Sequence, residues 1–259
     1  MRRTLILPVL VLAGALLASC GKGSLTATSR QASAAHSGGP TSSPTPPASP
    51  PGDHTPSKQR AVAFAHAVNL TSADVPGFTA TKKHDSSSSK EKQLERQMLR
   101  CAGLSGSAKA VVEESSKSFR LKHQIIDLGV SSEVAVESSA AQAQKGLSAI
   151  RSGHVRGCFS RYLQQIFKGQ QANGATAGPV TIQSGTPPAP GMNGSFGWRV
   201  TATFDVRGIK VPIYLDFLGF VDGPSEVTLL SSGLLQPFPA SVQQHLFTLL
   251  LSRARSHTL

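Results

Sequence analysis

The side chains with the most reactive chemistry in this chain are three cysteines, Cys20, Cys101 and Cys158, and eight histidines among its 259 residues. A cysteine thiolate can be acylated, oxidised to a disulfide or bound to a metal ion. No two cysteines stand in a C-x-x-C pair, and the histidines form no H-E-x-x-H motif. The spacing therefore predicts neither a redox-active dithiol nor a structured metal site.

The sequence before Cys20 has the pattern of an export signal. Met1-Arg2-Arg3 is a short positive region, residues 5–17 are almost uniformly apolar, and the small residues Ala18 and Ser19 follow. The apolar run is shorter than the ~20 residues that a membrane-spanning helix needs. We therefore interpret residues 1–19 as a signal peptide. An ordinary cleaved signal and an uncleaved anchor are the alternatives, and the choice between general secretory and twin-arginine export stays open.

Leu17-Ala18-Ser19-Cys20 resembles the lipobox of bacterial lipoproteins. The resemblance implies that the Cys20 thiol carries a diacylglyceryl group and that cleavage makes Cys20 the first residue of the mature protein. Stable attachment to a membrane takes at least two acyl chains, and fatty acids such as palmitate on this group would supply them. The resemblance therefore predicts a lipid-anchored protein on the extracytoplasmic face of the cell membrane.

Lipidation of Cys20 would leave Cys101 and Cys158 as an even pair in an oxidising compartment. The default for such a pair is a disulfide bond, and two buried free thiols are the alternative. Helical periodicity groups Cys101 with Leu94 and Met98 on one apolar face. Cys158 belongs to the clearest helical stripe of the chain, which comprises Val155, Cys158, Phe159, Tyr162, Leu163, Ile166 and Phe167. This pattern predicts a core disulfide between two packed helices.

No motif for catalysis is evident in the sequence. Gly194-Ser195-Phe196-Gly197 has its serine one position too early for the G-x-S-x-G nucleophile elbow. Glu113 and Glu114 are adjacent, and such a pair usually shares a solvated turn. Trp198 and Tyr214 are able to line a pocket, but their strand pattern favours packing. We therefore predict a protein that is not an enzyme, with no catalytic, cofactor-binding or metal-binding residues.

The chain is strongly basic, with 26 Lys and Arg against 14 Asp and Glu and a formal net charge of +12. Outside the cytoplasm, such an excess favours anionic neighbours, either phospholipid headgroups or acidic wall polymers. The alternative is that the charge only keeps the surface soluble. We expect no nucleic acid partner at that location, and the sequence does not identify the small-molecule or protein ligand.

The composition divides the remainder of the chain into two parts. Residues 20–58 consist mainly of Ser, Thr, Ala, Gly and Pro, with five prolines between Pro44 and Pro51. This segment cannot bury enough apolar surface to offset its ordering entropy, so we predict a lipidated, disordered stalk. Residues 59–257 are then expected to form a single globular domain.

Within that domain, helical periodicity precedes two-residue periodicity. Helices are predicted for residues 60–70, for the stretch that ends at Cys101, for 143–150 and for 155–167, and strands lie within 116–122 and 124–137. Residues 198–206 and 209–217 alternate apolar and polar side chains, and Asp222-Gly223 marks a turn into a third strand, residues 226–230.

The order of these elements indicates an α+β fold, with a curved antiparallel sheet and flanking helices. Pro212 cannot donate a ladder hydrogen bond, which predicts that its strand lies at an edge or is bulged there. Pro239 fits the first turn of a last amphipathic helix. We expect this C-terminal helix to pack on the three-stranded meander.

Short motifs resemble a group of actinobacterial envelope domains. The motifs are residues 71–78, Cys101, residues 131–134, residues 139–143 and Cys158. The group includes the extracellular sensor domain of PknH-type kinases and lipoproteins of the LpqN type. The resemblance covers residues 60–167 by motif and the rest by element order. It implies a PsbP/Mog1-like fold with a cleft of unknown ligand, and it supplies no catalytic residues.

The sequence therefore predicts a membrane-tethered extracytoplasmic lipoprotein whose domain binds a ligand, or acts as a sensor, without catalysis. Two alternatives stay open: an envelope hydrolase with an unrecognised site, and a carrier or docking factor for lipid or a partner protein. No kinase sequence accompanies the domain, so the resemblance does not imply direct signal transduction.

Overall fold

A computed structural model describes residues 55–81, 89–104, 110–123, 125–169 and 175–259. Cys20, the predicted signal peptide and nearly all of the predicted stalk lie outside these ranges. Within them, no helix combines the length and the apolar character needed to cross a membrane.

The described residues form five α-helices and eight β-strands. The helices are α1 (Lys58–Val68), α2 (Ser89–Cys101), α3 (Ala140–Arg151), α4 (Gly153–Gly169) and α5 (Ala240–Ser256). The strands are β1 (Thr79–Thr81), β2 (Val112–Ser115), β3 (Ser118–His123), β4 (Ile126–Val136), β5 (Ala175–Gly185), β6 (Gly194–Val206), β7 (Ile209–Asp222) and β8 (Ser225–Leu234). A 3₁₀ turn, Ser72–Asp74, follows α1.

The strands form one open antiparallel sheet in the order β1-β3-β4-β8-β7-β6-β5. β2 also pairs with β4, so β2 and β3 occupy successive halves of the same β4 edge. The predicted meander is β6-β7-β8, joined by tight turns. The α+β prediction, an antiparallel sheet with flanking helices, is confirmed.

Helices cover both faces of this sheet. We call the face that carries Trp198 the disulfide face, because α2, α3 and α4 pack there. We call the face that carries Asp216 the groove face, because a groove lies between α5 and the β5–β6 loop there. On this face, α1 and α5 pack on the β4 and β8 side. β4 lies beneath helices on both faces, so its residues from Leu128 to Val136 are all buried.

The stripe predicted for α4 forms the centre of the disulfide face. All seven of its residues are buried. Phe159 packs against Trp198 and Phe217, with ring centroids 5.3 and 5.6 Å apart. Full burial of one such side chain contributes roughly 1.5–3 kcal/mol relative to exposure, so burial of this stripe favours the packing of α4 on the sheet.

α5 packs on β7 and β8 of the meander, as predicted, and it does so on the groove face. Phe247 meets Phe220 of β7 edge to face, with centroids 5.7 Å apart. Pro239 is the residue before the helix rather than its first residue, and the first helical residue is Ala240.

One strand prediction was wrong, and the sequence also left strands unpredicted. β7 is an internal strand, not an edge strand. Pro212 is tolerated because the β7–β8 pairing stops at Ile213, so the proline lies just past the end of that ladder. The strand β5 was not predicted at all, since its Gly and Pro residues resemble a loop.

Candidate functional site

Residues 186–193 connect β5 to β6 and form one wall of a groove. The Ser195 hydroxyl donates to the Pro187 carbonyl at 2.5 Å. The Asn193 N–H donates to the Val221 carbonyl at 2.8 Å. Arg151 of α3 in turn donates to the Ser195 carbonyl from Nε at 2.9 Å. Ser195, the serine of the incomplete nucleophile elbow, is 3% exposed and anchors this loop.

The loop and α5 enclose a groove of about 880 Å³. Leu218 of β7 lies between the two walls, and Phe247 and Leu251 are the apolar side chains of the α5 wall. Pro187 and Pro188 belong to the opposite wall. A volume in this range accommodates a small organic molecule or a short chain segment.

The groove adjoins a second, more open depression of about 370 Å³ whose lining includes an ion pair. Arg199 and Asp216 are register partners on β6 and β7. Their ion pair has Nε–Oδ1 and Nη2–Oδ2 distances of 2.6 and 3.0 Å. The Gln243 amide of α5 donates to Asp216 Oδ2 at 3.2 Å and to Ser231 Oγ at 2.6 Å. Gln243 lines both the groove and the depression, so the two are continuous.

The two side chains of the ion pair differ in their exposure to solvent. The Arg199 side chain is 44% exposed and that of Asp216 only 4%. Hydrogen bonding to Asp216 raises the pKa of the Arg199 guanidinium, against the smaller effect of burial. Asp216 engages Nε and Nη2, so the Nη1 edge of the guanidinium points away from the carboxylate. Arg199 lines the depression, so its guanidinium is a charged donor there.

Trp198 and Tyr214 lie on opposite faces of the sheet. Trp198 is 8% exposed and packs on Phe159 of α4, as predicted, and it also contributes to the lining of the depression. Tyr214 is half-buried and pairs in register with Thr201, on the same face as Arg199. The alternation therefore separates Trp198 from the Arg199 guanidinium.

Cys101 and Cys158 form a disulfide with a Cα–Cα distance of 5.8 Å. It joins the last residue of α2 to the second turn of α4, in the helix pair predicted from the sequence. Two cationic or ionisable side chains of α4 stand beside it. Arg161 Nη2 is 2.8 Å from Cys101 Sγ, and His154 Nε2 is 3.9 Å from Cys158 Sγ.

A second set of ionisable residues lies under α3 on the disulfide face. Glu113, Glu133 and Glu226 occupy neighbouring positions on β2, β4 and β8. Burial raises the pKa of Glu133 well above its ordinary value, and the nearby Glu113 and Glu226 raise it further. The expectation that Glu113 and Glu114 share a solvated turn was wrong, because both lie on β2 and point to opposite faces.

Sequence reasoning missed the groove and the surroundings of the disulfide. The groove residues come from positions 187–256, and no periodicity connects the loop wall to α5. A signal for the second feature was present, since His154 and Cys158 are four residues apart and therefore share one helix face.

Comparisons with known proteins do not assign this chain to a family. No protein-family model matches it, and no curated protein matches it. Among solved structures, the extracellular domain of PknH from Mycobacterium tuberculosis aligns over 79% of this chain and 100% of its own, with 13% identity and a TM-score of 0.38. A score of this size does not establish a common fold.

Proposed function

We propose that this protein is a lipid-anchored, extracytoplasmic binding protein whose groove holds an elongated ligand. The observation that carries the proposal is the continuity between the groove, which contains the apolar side chains of Leu218 and Phe247, and the depression, which contains the Arg199 guanidinium. The anchor rests on the sequence pattern that ends at Cys20. Together these features describe a domain held at the membrane surface that presents one preformed site.

The groove is suited to a ligand with an apolar body and an anionic head. Arg199 supplies a partly exposed guanidinium at one end, and Arg255 lies exposed in the lining towards the C-terminal end of α5. Leu218, Phe247 and Leu251 contribute apolar surface to the same lining. A carboxylate, sulfonate or phosphate group is the natural partner of a guanidinium edge.

The polar groups of the site are arranged for holding rather than for reaction. Asp216 accepts hydrogen bonds from Arg199 and Gln243, and the Ser195 hydroxyl donates to a backbone carbonyl. A nucleophile needs a base within hydrogen-bond reach. The hydrogen bonds of Asp216 and Ser195 instead join parts of the fold to one another. Binding without turnover is therefore the function that the described part of the groove supports best.

The binding proposal is tested with 1-anilinonaphthalene-8-sulfonate, an apolar fluorophore with an anionic head. The parent protein is the full chain with Cys20→Ser, which removes the acylation site. Thr248→Trp places a large side chain at an exposed position of the groove lining. His245→Trp, at an exposed position of the same helix outside the lining, is the matched control.

We expect saturable binding by the parent and by His245→Trp, and at least a tenfold weaker affinity for Thr248→Trp. Equal affinity in both tryptophan variants would exclude the groove as the binding site. Turnover of ester, peptide or glycan substrates by the parent would contradict the binding proposal and support the hydrolase alternative.

The anchor is tested separately in cells. Wild-type chain should incorporate labelled palmitate and sediment with membranes, whereas the Cys20→Ser chain should do neither. Palmitate incorporation that persists in Cys20→Ser would contradict the assignment of Cys20. Because this experiment does not involve the groove, its failure leaves the binding result intact.

A further inference from the structure

The surroundings of the disulfide contain a third potential metal ligand besides the two sulfurs. His154 Nε2, Cys101 Sγ and Cys158 Sγ all lie within 4.8 Å of one another. Within the described residues, no other group of three His, Cys, Asp or Glu side chains brings its ligand atoms this close. Two thiolates and one imidazole form a ligand set that zinc and other thiophilic divalent cations prefer.

We propose that reduction of this disulfide converts Cys101, Cys158 and His154 into a three-ligand site for zinc or a similar thiophilic cation. A dithiol reductant transfers two electrons and two protons to the sulfurs, breaks the S–S bond and leaves as its own cyclic disulfide. The cation then displaces the two thiol protons as it binds. The oxidised protein holds the same two sulfurs in a covalent bond and offers no thiolate.

The distances fit tetrahedral coordination with small movements. With Zn–S and Zn–N bonds of about 2.3 and 2.05 Å, the ligand atoms of one zinc lie about 3.8 Å apart for two sulfurs and about 3.6 Å for sulfur and nitrogen. His154 Nε2 is already 3.9 Å from Cys158 Sγ. The Cα atoms of Cys101 and Cys158 are 5.8 Å apart, so once the S–S bond is broken, rotation of the cysteine side chains can separate the two sulfurs.

The positions of the ligands on their helices favour this movement. His154 and Cys158 are one turn apart on α4, so both side chains point to the same side. Cys101 is the last residue of α2 and is partly exposed, so its side chain has room to rotate. Three protein ligands leave a fourth coordination position open to water.

Two present contacts must be exchanged when the cation binds. His154 Nε2 now lies 2.6 Å from the Cys101 carbonyl, to which it donates. Coordination requires the tautomer with the proton on Nδ1. Arg161 Nη2 lies 2.8 Å from Cys101 Sγ and 3.6 Å from Cys158 Sγ, so the guanidinium competes with the cation for the sulfurs. Arg161 is exposed and can turn into solvent.

The test uses cobalt(II) as a spectroscopic substitute for zinc. The full chain with Cys20→Ser is reduced with dithiothreitol, freed of reductant under argon and titrated with cobalt. We expect thiolate-to-cobalt charge-transfer absorption and the d–d bands of tetrahedral cobalt, one ion per chain, with displacement by zinc. The oxidised chain should show neither spectrum.

Three variants separate a defined site from non-specific thiol binding. His154→Ala should weaken cobalt binding about 10–100-fold, whereas His66→Ala, at an exposed histidine of α1, should not change it. Arg161→Gln, which removes the guanidinium that contacts both sulfurs, should still bind one cobalt per chain with tetrahedral bands. An unchanged affinity in His154→Ala, or an equal loss of affinity in His66→Ala, would overturn the proposal.

Loss of the disulfide could unfold the chain before any metal is added, and the far-ultraviolet circular dichroism of the reduced protein detects this. In that event the reduced chain is refolded with and without cobalt. Recovery of the helical spectrum together with the cobalt bands supports the site. A chain that cobalt fails to refold, or one that refolds without tetrahedral cobalt bands, contradicts it.

Discussion

Arg253 of α5 holds Asp74 in a two-point ion pair, with Nη1–Oδ2 and Nη2–Oδ1 distances of 2.9 and 2.7 Å. The same Nη1 donates to the Asn69 carbonyl at 3.1 Å. Asp74 also accepts from the backbone N–H and the hydroxyl of Thr71, at 2.7 and 3.0 Å. One carboxylate thus organises the 3₁₀ turn after α1, and one guanidinium attaches that turn to the C-terminal helix.

Replacement of Arg253 by Met should lower the free energy of unfolding by about 1–2 kcal/mol, because a partly buried charge-assisted pair is lost while the aliphatic stem is kept. Urea denaturation followed by circular dichroism measures the change. Arg255→Met, at an exposed position two residues along the same helix, is the control and should stay within about 0.5 kcal/mol of the parent.

The same pair predicts the response of the protein to acid. Burial would raise the pKa of Asp74, but the hydrogen bonds from Arg253 and Thr71 outweigh it and lower the pKa. The stabilisation is therefore complete above the pKa of Asp74 in the unfolded chain and is lost as the pH falls through the lower folded value. Arg253→Met should lose less stability between neutral and acidic pH than the parent does, and an equal loss would contradict this assignment.

Glu133 predicts the opposite dependence on pH. Burial, Glu113 and Glu226 raise its pKa, so the folded chain keeps this proton to a higher pH than the unfolded chain does. Stability is greatest below the ordinary pKa and decreases as the pH rises towards the folded value, by up to about 1.4 kcal/mol per pH unit.

Glu133→Gln should therefore be more stable than the parent at mildly alkaline pH and similar to it near pH 4 (roughly the ordinary pKa of Glu). Denaturant unfolding at several pH values measures the difference. Glu114→Gln, on the opposite face of β2, is the control for the loss of one carboxylate. A constant offset of Glu133→Gln at every pH would show that shape, and not ionisation, produces the effect.

The disulfide predicts a large loss of stability on reduction. It joins residues 57 positions apart. In the chain-entropy model, a loop of this length contributes about 4 kcal/mol to the free energy of unfolding. The pair of substitutions Cys101→Ala and Cys158→Ala in the Cys20→Ser chain should lower the urea midpoint accordingly, with no change after added dithiothreitol. An unchanged midpoint would show that packing alone holds α2 and α4 together.

Much of the disulfide face was predictable, because its elements carry strong periodicity. The stripe from Val155 to Phe167 predicted one helix, and the alternation from Trp198 to Val206 predicted the strand beneath it. Apolar residues recur at the spacing of one element and are buried by the next. The cysteine count then predicted the bond between α2 and α4.

The remainder escaped prediction where local sequence and tertiary environment disagree. β4 contains Ser131, Ser132 and Glu133 in its buried middle, and helices on both faces bury these polar side chains. Ser132 Oγ, for example, lies 2.7 Å from Asn69 Oδ1, which is 63 residues away. The groove escaped for a similar reason, since a proline-rich loop and α5 become neighbours only after the sheet has formed.

The link from Arg253 to Asn69 and Asp74 also has a mechanical consequence. The described chain enters the domain through α1, which contacts α5, and Arg253 fastens the end of α1 to the same helix. A pulling force applied at residue 55 would thus load α5, one wall of the groove, before it loads the central strands. We expect the rupture force in a single-molecule pulling experiment to rise when the groove is occupied and to fall in Arg253→Met. Under the proposed function, a tether attached at this point would connect tension at the membrane to binding in the groove.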